Sequence, residues 1–200
     1  RQLTTNMSIL TPFKFPTDIR WRGIERHHHK IFLVKSVLLI LFSILVIAEY
    51  SLFKSWWENG PYDYHKDWTW APYQFWLRIG IALIPDILVT LLTLILLLNP
   101  LHHATYSFHP VFALVSSFCM FGLYVGVCFL NPLFALSNEV AFHNMDIWER
   151  IVFVETGFEG VICLCWVGMM GLSAVAVHRW RVGRRGWKGI VSGGQEEERV

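Results

Sequence analysis

The sequence predicts an all-α integral membrane protein: a four-helix bundle with both termini in the cytosol. Three observations carry this. The 200 residues are 54% hydrophobic but only 16% charged, where a soluble domain carries about 25% charged residues. The apolar residues fall into four long runs, at 31–53, 75–98, 108–130 and 151–177, each long enough to cross a ~30 Å hydrocarbon layer as a helix. Lys and Arg gather before the first run and after the last. The positive-inside rule then sets both ends on the cytosolic side, and an even number of spans returns the chain there.

Residues 1–30 form a basic arm. Thr11-Pro12 and Phe15-Pro16 interrupt helical structure, and Arg20, Arg22, Arg26 and Lys30 cluster just before the first span. Such a cluster attracts anionic lipid headgroups, by about 1 kcal/mol per charge near the surface. It also sets topology, and topology is the preferred explanation. His27-His28-His29 is not expected to hold a metal, because three adjacent residues of a regular helix cannot face one ion. Asn6-Met7-Ser8 is a glycosylation sequon on the side expected to be cytosolic, so it is expected to stay unmodified. The chain opens on Arg1, so the native start is expected upstream, and no cleavable signal peptide is visible.

The first span carries Lys35, which can snorkel to the inner surface, and Glu49 near its outer end. The first outer loop, Lys54 to Gln74, holds Trp56, Trp57, Trp68 and Trp70, a composition that suits the headgroup layer. The second span reads FWLRIGIALIPDILVTLLTLILLL. Helical spacing puts Ala82, Asp86, Thr90 and Thr93 on one stripe, extended outward by Arg78. Asn99-Pro100 stops this span, and a short inner turn with His102-His103 follows.

The third span carries Gly122 and Gly126, a GxxxG pair with Cys119 on the same face. Small residues so spaced let helices approach closely, here expected inside the bundle rather than between copies. Asn131-Pro132 is expected to end this span. The fourth span carries Glu155 and Glu159 on one face, then the basic exit Arg179, Arg181, Arg184 and Arg185. Residues 178–200 are expected to be a cytosolic tail, basic and then acidic, with a disordered end. The cysteines Cys119, Cys128, Cys163 and Cys165 all lie in apolar runs and read as small packing residues.

At ~1.5 Å per residue, Glu49, Arg78 and Glu155 lie about 5–6 Å below the outer surface, Glu159 about 12 Å and Asp86 about 16 Å. Buried charge is thus concentrated in the outer half. Two readings follow. Asp86, Glu155 and Glu159 could bind a cation or relay protons, with Arg78 as counter-charge. Alternatively, Arg78 pairs with Glu155, and Glu159 or Asp86 is protonated and hydrogen-bonded, holding the helices in register. The structural reading is preferred, since the chain lacks the repeated halves and paired broken helices of many transporters.

No enzyme signature is present: no G-x-S-x-G, no HExxH, no P-loop and no Gly-rich nucleotide fingerprint. Catalytic residues, metal ligands, cofactors and nucleic acid are therefore not expected. The expected partners are the bilayer, anionic headgroups, further copies of the chain or other membrane proteins.

Four spans, cytosolic termini, two short outer loops and polar residues within apolar helices resemble the MARVEL-type four-span proteins over roughly Ile31 to Val177. The resemblance is one of architecture. It implies a role in membrane apposition, subdomain organisation or trafficking, with no catalytic residues. The first outer loop lacks the GLW motif and cysteine pair of claudins.

Overall fold

A computed structural model describes residues 20–21, 23–59, 76–98, 108–136 and 145–197. Four α-helices run through them: α1, Glu25–Asn59; α2, Ile81–Leu98, preceded by a π-helical turn at Trp76–Gly80; α3, Pro110–Leu136; and α4, Met145–Glu197. Each contains a stretch long and apolar enough to cross a membrane: Glu25–Leu52, Arg78–Leu97, Pro110–Leu136 and Ile147–Gly183. The protein is an integral membrane protein of four-helix architecture. The segments 60–75 and 99–107, expected to be an outer loop and an inner turn, and Asn6 lie outside the described residues.

In hydrocarbon a backbone must satisfy its own polar groups, which is why apolar runs of this length become helices. Their hydroxyls follow suit. Ser36, Ser43, Ser51 and Thr156 each donate back to the carbonyl four residues earlier, at 2.7–2.9 Å. Outward faces are aliphatic: Ile40, Ile44 and Ile47 on α1, Ile84, Leu88 and Ile95 on α2, and Leu164 on α4 are all exposed.

Helix α4 packs along most of α3 and, less extensively, along α1. Helix α2 leans on α3 and approaches α1 only sparsely. The ring of helices is therefore thin at one seam, between α1 and α2. The apolar core draws on all four helices: Leu39 and Phe42 of α1, Ala82 and Leu83 of α2, Met120, Tyr124 and Val127 of α3, and Ile162, Trp166 and Met169 of α4.

Helix ends depart from expectation in several places. Helix α1 begins at Glu25 rather than 31 and runs on to Asn59. A turn precedes it, in which Gly23 takes a φ of 84° that favours glycine. That turn swings Trp21 under the bundle, where its Nε1 donates to the Phe108 carbonyl at 2.7 Å. Helix α3 does not stop at Asn131-Pro132 but continues to Leu136. Proline costs a helix one hydrogen bond and a clash without forbidding it, and the Asn131 amide is held at both ends, as described below. Pro85 is likewise accommodated within α2, just past the π turn. The tail expected to be disordered is helical as far as Glu197. Its glycines weaken a helix, but no proline interrupts it.

Candidate functional site: two buried polar layers

The buried charges fall into two layers, and each draws on all four chain elements. Asp86 centres the first. Its Oδ1 accepts from Lys35 Nζ at 2.6 Å and from Thr90 Oγ1 at 3.0 Å. Its Oδ2 accepts from Tyr124 OH at 2.8 Å and Trp166 Nε1 at 3.2 Å. Asp86 and Lys35 are both 0% exposed. Lys35 also donates to Thr90 Oγ1. Its ammonium lies 4.6 Å from the centroid of the Trp166 ring and 5.4 Å from that of Phe32, as cation–π contacts require.

A carboxylate offers about four lone-pair sites, and Asp86 fills four, with donors from α1, α2, α3 and α4. The charge is matched by Lys35, so the unit is neutral overall. Isolated charges cost several kcal/mol each to bury, and only good pairing with full hydrogen bonding offsets that.

Arg78, on the π turn, centres the second layer and is 3% exposed. Its NH1 donates to Asn131 Oδ1 at 2.9 Å and Glu155 Oε2 at 3.5 Å, and its NH2 donates to Glu49 Oε1. Asn131 Nδ2 donates onward to Glu159 Oε2 at 2.7 Å. Trp148 Nε1 donates to Glu49 Oε1 at 2.9 Å, and the Trp148 ring lies 5.8 Å from the guanidinium carbon. Arginine suits this place because its fixed fork of donors can serve several acceptors at once. On α3 Tyr124 and Asn131, and on α4 Trp166 and Glu159, are each seven positions apart, so the two layers are separated along these helices by about 10 Å at ~1.5 Å per residue.

Both layers bridge the thin seam. Lys35 to Asp86 joins α1 to α2, and Glu49 to Arg78 joins α1 to the π turn before α2, where α1 and α2 backbones rarely approach. Long charged side chains span a gap that aliphatic packing leaves wide.

Glu49, Arg78, Glu155 and Glu159 come together. Asp86 does not join them, since its bonds go to Lys35, Thr90, Tyr124 and Trp166. Lys35, expected to snorkel to the surface, is fully buried on Asp86. Helix α1 starts six residues before the boundary read from sequence, so Lys35 lies about 15 Å from its first residue rather than about 6 Å. Arg78 reaches Glu155, as the structural reading expected, but Glu49 and Asn131 as well.

Gly122 and Gly126 do not pack inside the bundle. Both are exposed, as is Cys119, and a Cβ on either glycine would meet nothing within 4 Å. Glycine spacing defines a face without saying which way it turns, and Tyr124 and Val127 claim the interior. Of the headgroup candidates, Arg26, Lys30, Arg179 and Arg181 are exposed and Arg20 is half-buried. The side chains of Arg22, Arg184 and Arg185 lie outside the described residues.

Lys35, Tyr124, Asn131, Trp148 and Trp166 are the participants that sequence reasoning missed. A lone Lys in an apolar run is the available signal for the first, whereas Asn131-Pro132 reads in sequence as a helix stop. Of the histidines, His28 and His29 are buried against Trp21 and Phe108 while His27 faces out. Among the described residues no group of three or more His, Cys, Asp or Glu is placed to hold a metal ion.

No family model, curated protein or solved structure matches the chain. The resemblance to MARVEL-type proteins therefore rests on architecture alone.

Proposed function

We propose that the protein is a non-enzymatic, membrane-organising or scaffold component with a trafficking or subdomain role. The observation that supports this best is the saturation of Asp86. A carboxylate in an ion path must exchange partners, and this one has four donors within the bundle and a matching charge. It acts as a register device that joins four helices at one point. The aliphatic outer faces then offer lipid or neighbouring helices a rigid apolar wall. In this reading both termini are cytosolic, and Arg26, Lys30, Arg179 and Arg181 meet anionic headgroups. The outward GxxxG face serves contact with a further copy or another membrane protein.

A second reading, a small proton or cation channel or transporter subunit using Asp86, Glu155 and Glu159, draws on the surplus of acids around Arg78. The discriminating experiment is flux. Purified protein in liposomes is assayed for proton and monovalent cation flux, as parent and as Asp86→Asn, at matched amounts of folded protein. The scaffold reading expects no flux from either and a lower melting temperature for the variant. Flux in the parent that disappears in Asp86→Asn would replace it with the channel reading.

A further inference from the structure

The second layer is not balanced as the first is. One guanidinium faces three carboxyl groups, and Glu49, Glu155 and Glu159 are each no more than 1% exposed. Fully ionised, the layer would carry two uncompensated negative charges in a medium where one is already costly. The other polar groups near it are Asn131 of α3 and Trp148 of α4, both neutral, with Tyr124 and Cys128 of α3 in electrostatic range of Glu159. Arg78, on the π turn before α2, is its cation among the described residues.

Hydrogen bonding shows where the imbalance falls. Glu49 Oε1 accepts from Arg78 and Trp148, and Glu155 Oε2 accepts from Arg78. The second oxygen of each, Glu49 Oε2 and Glu155 Oε1, is buried without a donor among the described residues. A buried polar atom left so costs about 1–3 kcal/mol, more when charged. Both acids are drawn to one guanidinium, Glu155 to its NH1 and Glu49 to its NH2, so the two carboxyl groups flank the same cation. Two carboxylate oxygens are both acceptors, so no bond joins them unless one carries a hydrogen. A single proton between them satisfies both orphan atoms and removes one of the two surplus charges.

We propose that Glu49 and Glu155 share one bound proton, as acid and carboxylate, making a proton-binding site across the α1–α4 contact. Arg78 fixes the remaining charge of the pair, and Trp148 orients Glu49. Loss of the proton would set like charges on α1 and α4 face to face. The site stands on the second layer alone, so it holds whether or not the scaffold reading does.

The test is infrared spectroscopy of the full chain in lipid nanodiscs at neutral pH. The carboxylic-acid C=O stretch reports a protonated side chain, and its shift in D₂O separates it from lipid ester bands. The parent is expected to show this band. Glu155→Gln and Glu49→Gln, checked for fold by circular dichroism, should each abolish it, because an amide supplies the missing donor and leaves its partner ionised. Glu159→Gln should retain it, and added sodium or potassium chloride should not displace it. Absence of the band from the parent overturns the proposal, whatever the variants do. So does its survival in both Glu155→Gln and Glu49→Gln, or its loss in Glu159→Gln alone. Displacement of the band by sodium or potassium would mean a cation site, and would equally overturn it.

Discussion

Replacing Lys35 by Met isolates the energetic role of the first layer. Lys35→Met keeps the length of the side chain and removes its charge. Asp86 then sits at 0% exposure as an uncompensated carboxylate, with Tyr124, Thr90 and Trp166 as its remaining donors. Breaking a buried pair from one side costs about 3–5 kcal/mol. Surviving hydrogen bonds, which in membrane proteins are worth about 0.6 kcal/mol on average, recover only part of that. Asp86→Leu alone should cost a similar amount, because it strands a buried ammonium. The double variant Lys35→Met, Asp86→Leu strands neither charge. Exchanging a buried pair for apolar residues is often neutral or better, so its loss should be about 1–2 kcal/mol, set by the abandoned Tyr124 and Trp166 donors. The singles therefore sum to about 6–10 kcal/mol while the double falls far below that, a coupling of several kcal/mol. The assay is reversible unfolding of the full chain in mixed micelles, read by circular dichroism. Single variants within about 1 kcal/mol of the parent, or a double variant at the sum of the singles, would mean that Lys35 and Asp86 are not a coupled buried pair.

Other substitutions follow from the same geometry. Arg78→Lys should destabilise by about 2–4 kcal/mol, because an ammonium cannot serve Asn131, Glu49 and Glu155 together, and the same unfolding assay reads it. Asn131→Leu removes the amide linking Arg78 to Glu159 and should cost about 1–3 kcal/mol, with the larger loss if Pro132 then ends α3 early, visible as reduced helicity. Gly122→Ala and Gly126→Ala should leave the monomer's stability within about 1 kcal/mol of the parent, since each new methyl meets open space. Their effect, if the face serves association, is a shift in oligomer population measured by cross-linking in bilayers. Gly168→Ala should be mildly destabilising, because its methyl would meet Ile31 Cδ1 at 3.3 Å, a flexible side-chain end that can give.

The fold was legible because the bilayer imposes it. Runs of Leu, Ile and Val of that length have one structural outcome, and four of them could be counted. Burial of Asp86 was legible too, since an acid that deep must find protein. What it would find was not. Pairing Asp86 with Lys35 depends on the relative depth of two helices, and a six-residue error at the start of α1 hid it. Asn131 was misread because Asn-Pro stops helices in isolation, whereas here two side chains hold the amide from either side. Gly122 and Gly126 were turned the wrong way because spacing gives a face and only packing gives its direction. The split of the charges into a saturated layer and an acid-rich one depends on Tyr124, Trp148 and Trp166. Each is unremarkable in sequence, where a membrane aromatic reads first as an interface anchor.

Asp86 held as a paired carboxylate by Lys35 is the centre of the bundle, and solid-state NMR of the full chain in lipid bilayers measures this pairing directly. With Lys Nζ and Asp Cγ labelled, the expected result is a through-space correlation between Lys35 and Asp86, with nitrogen shifts of a charged ammonium. A neutral amine at Lys35, or an Asp86 carboxyl correlated with Arg78 instead, would contradict it.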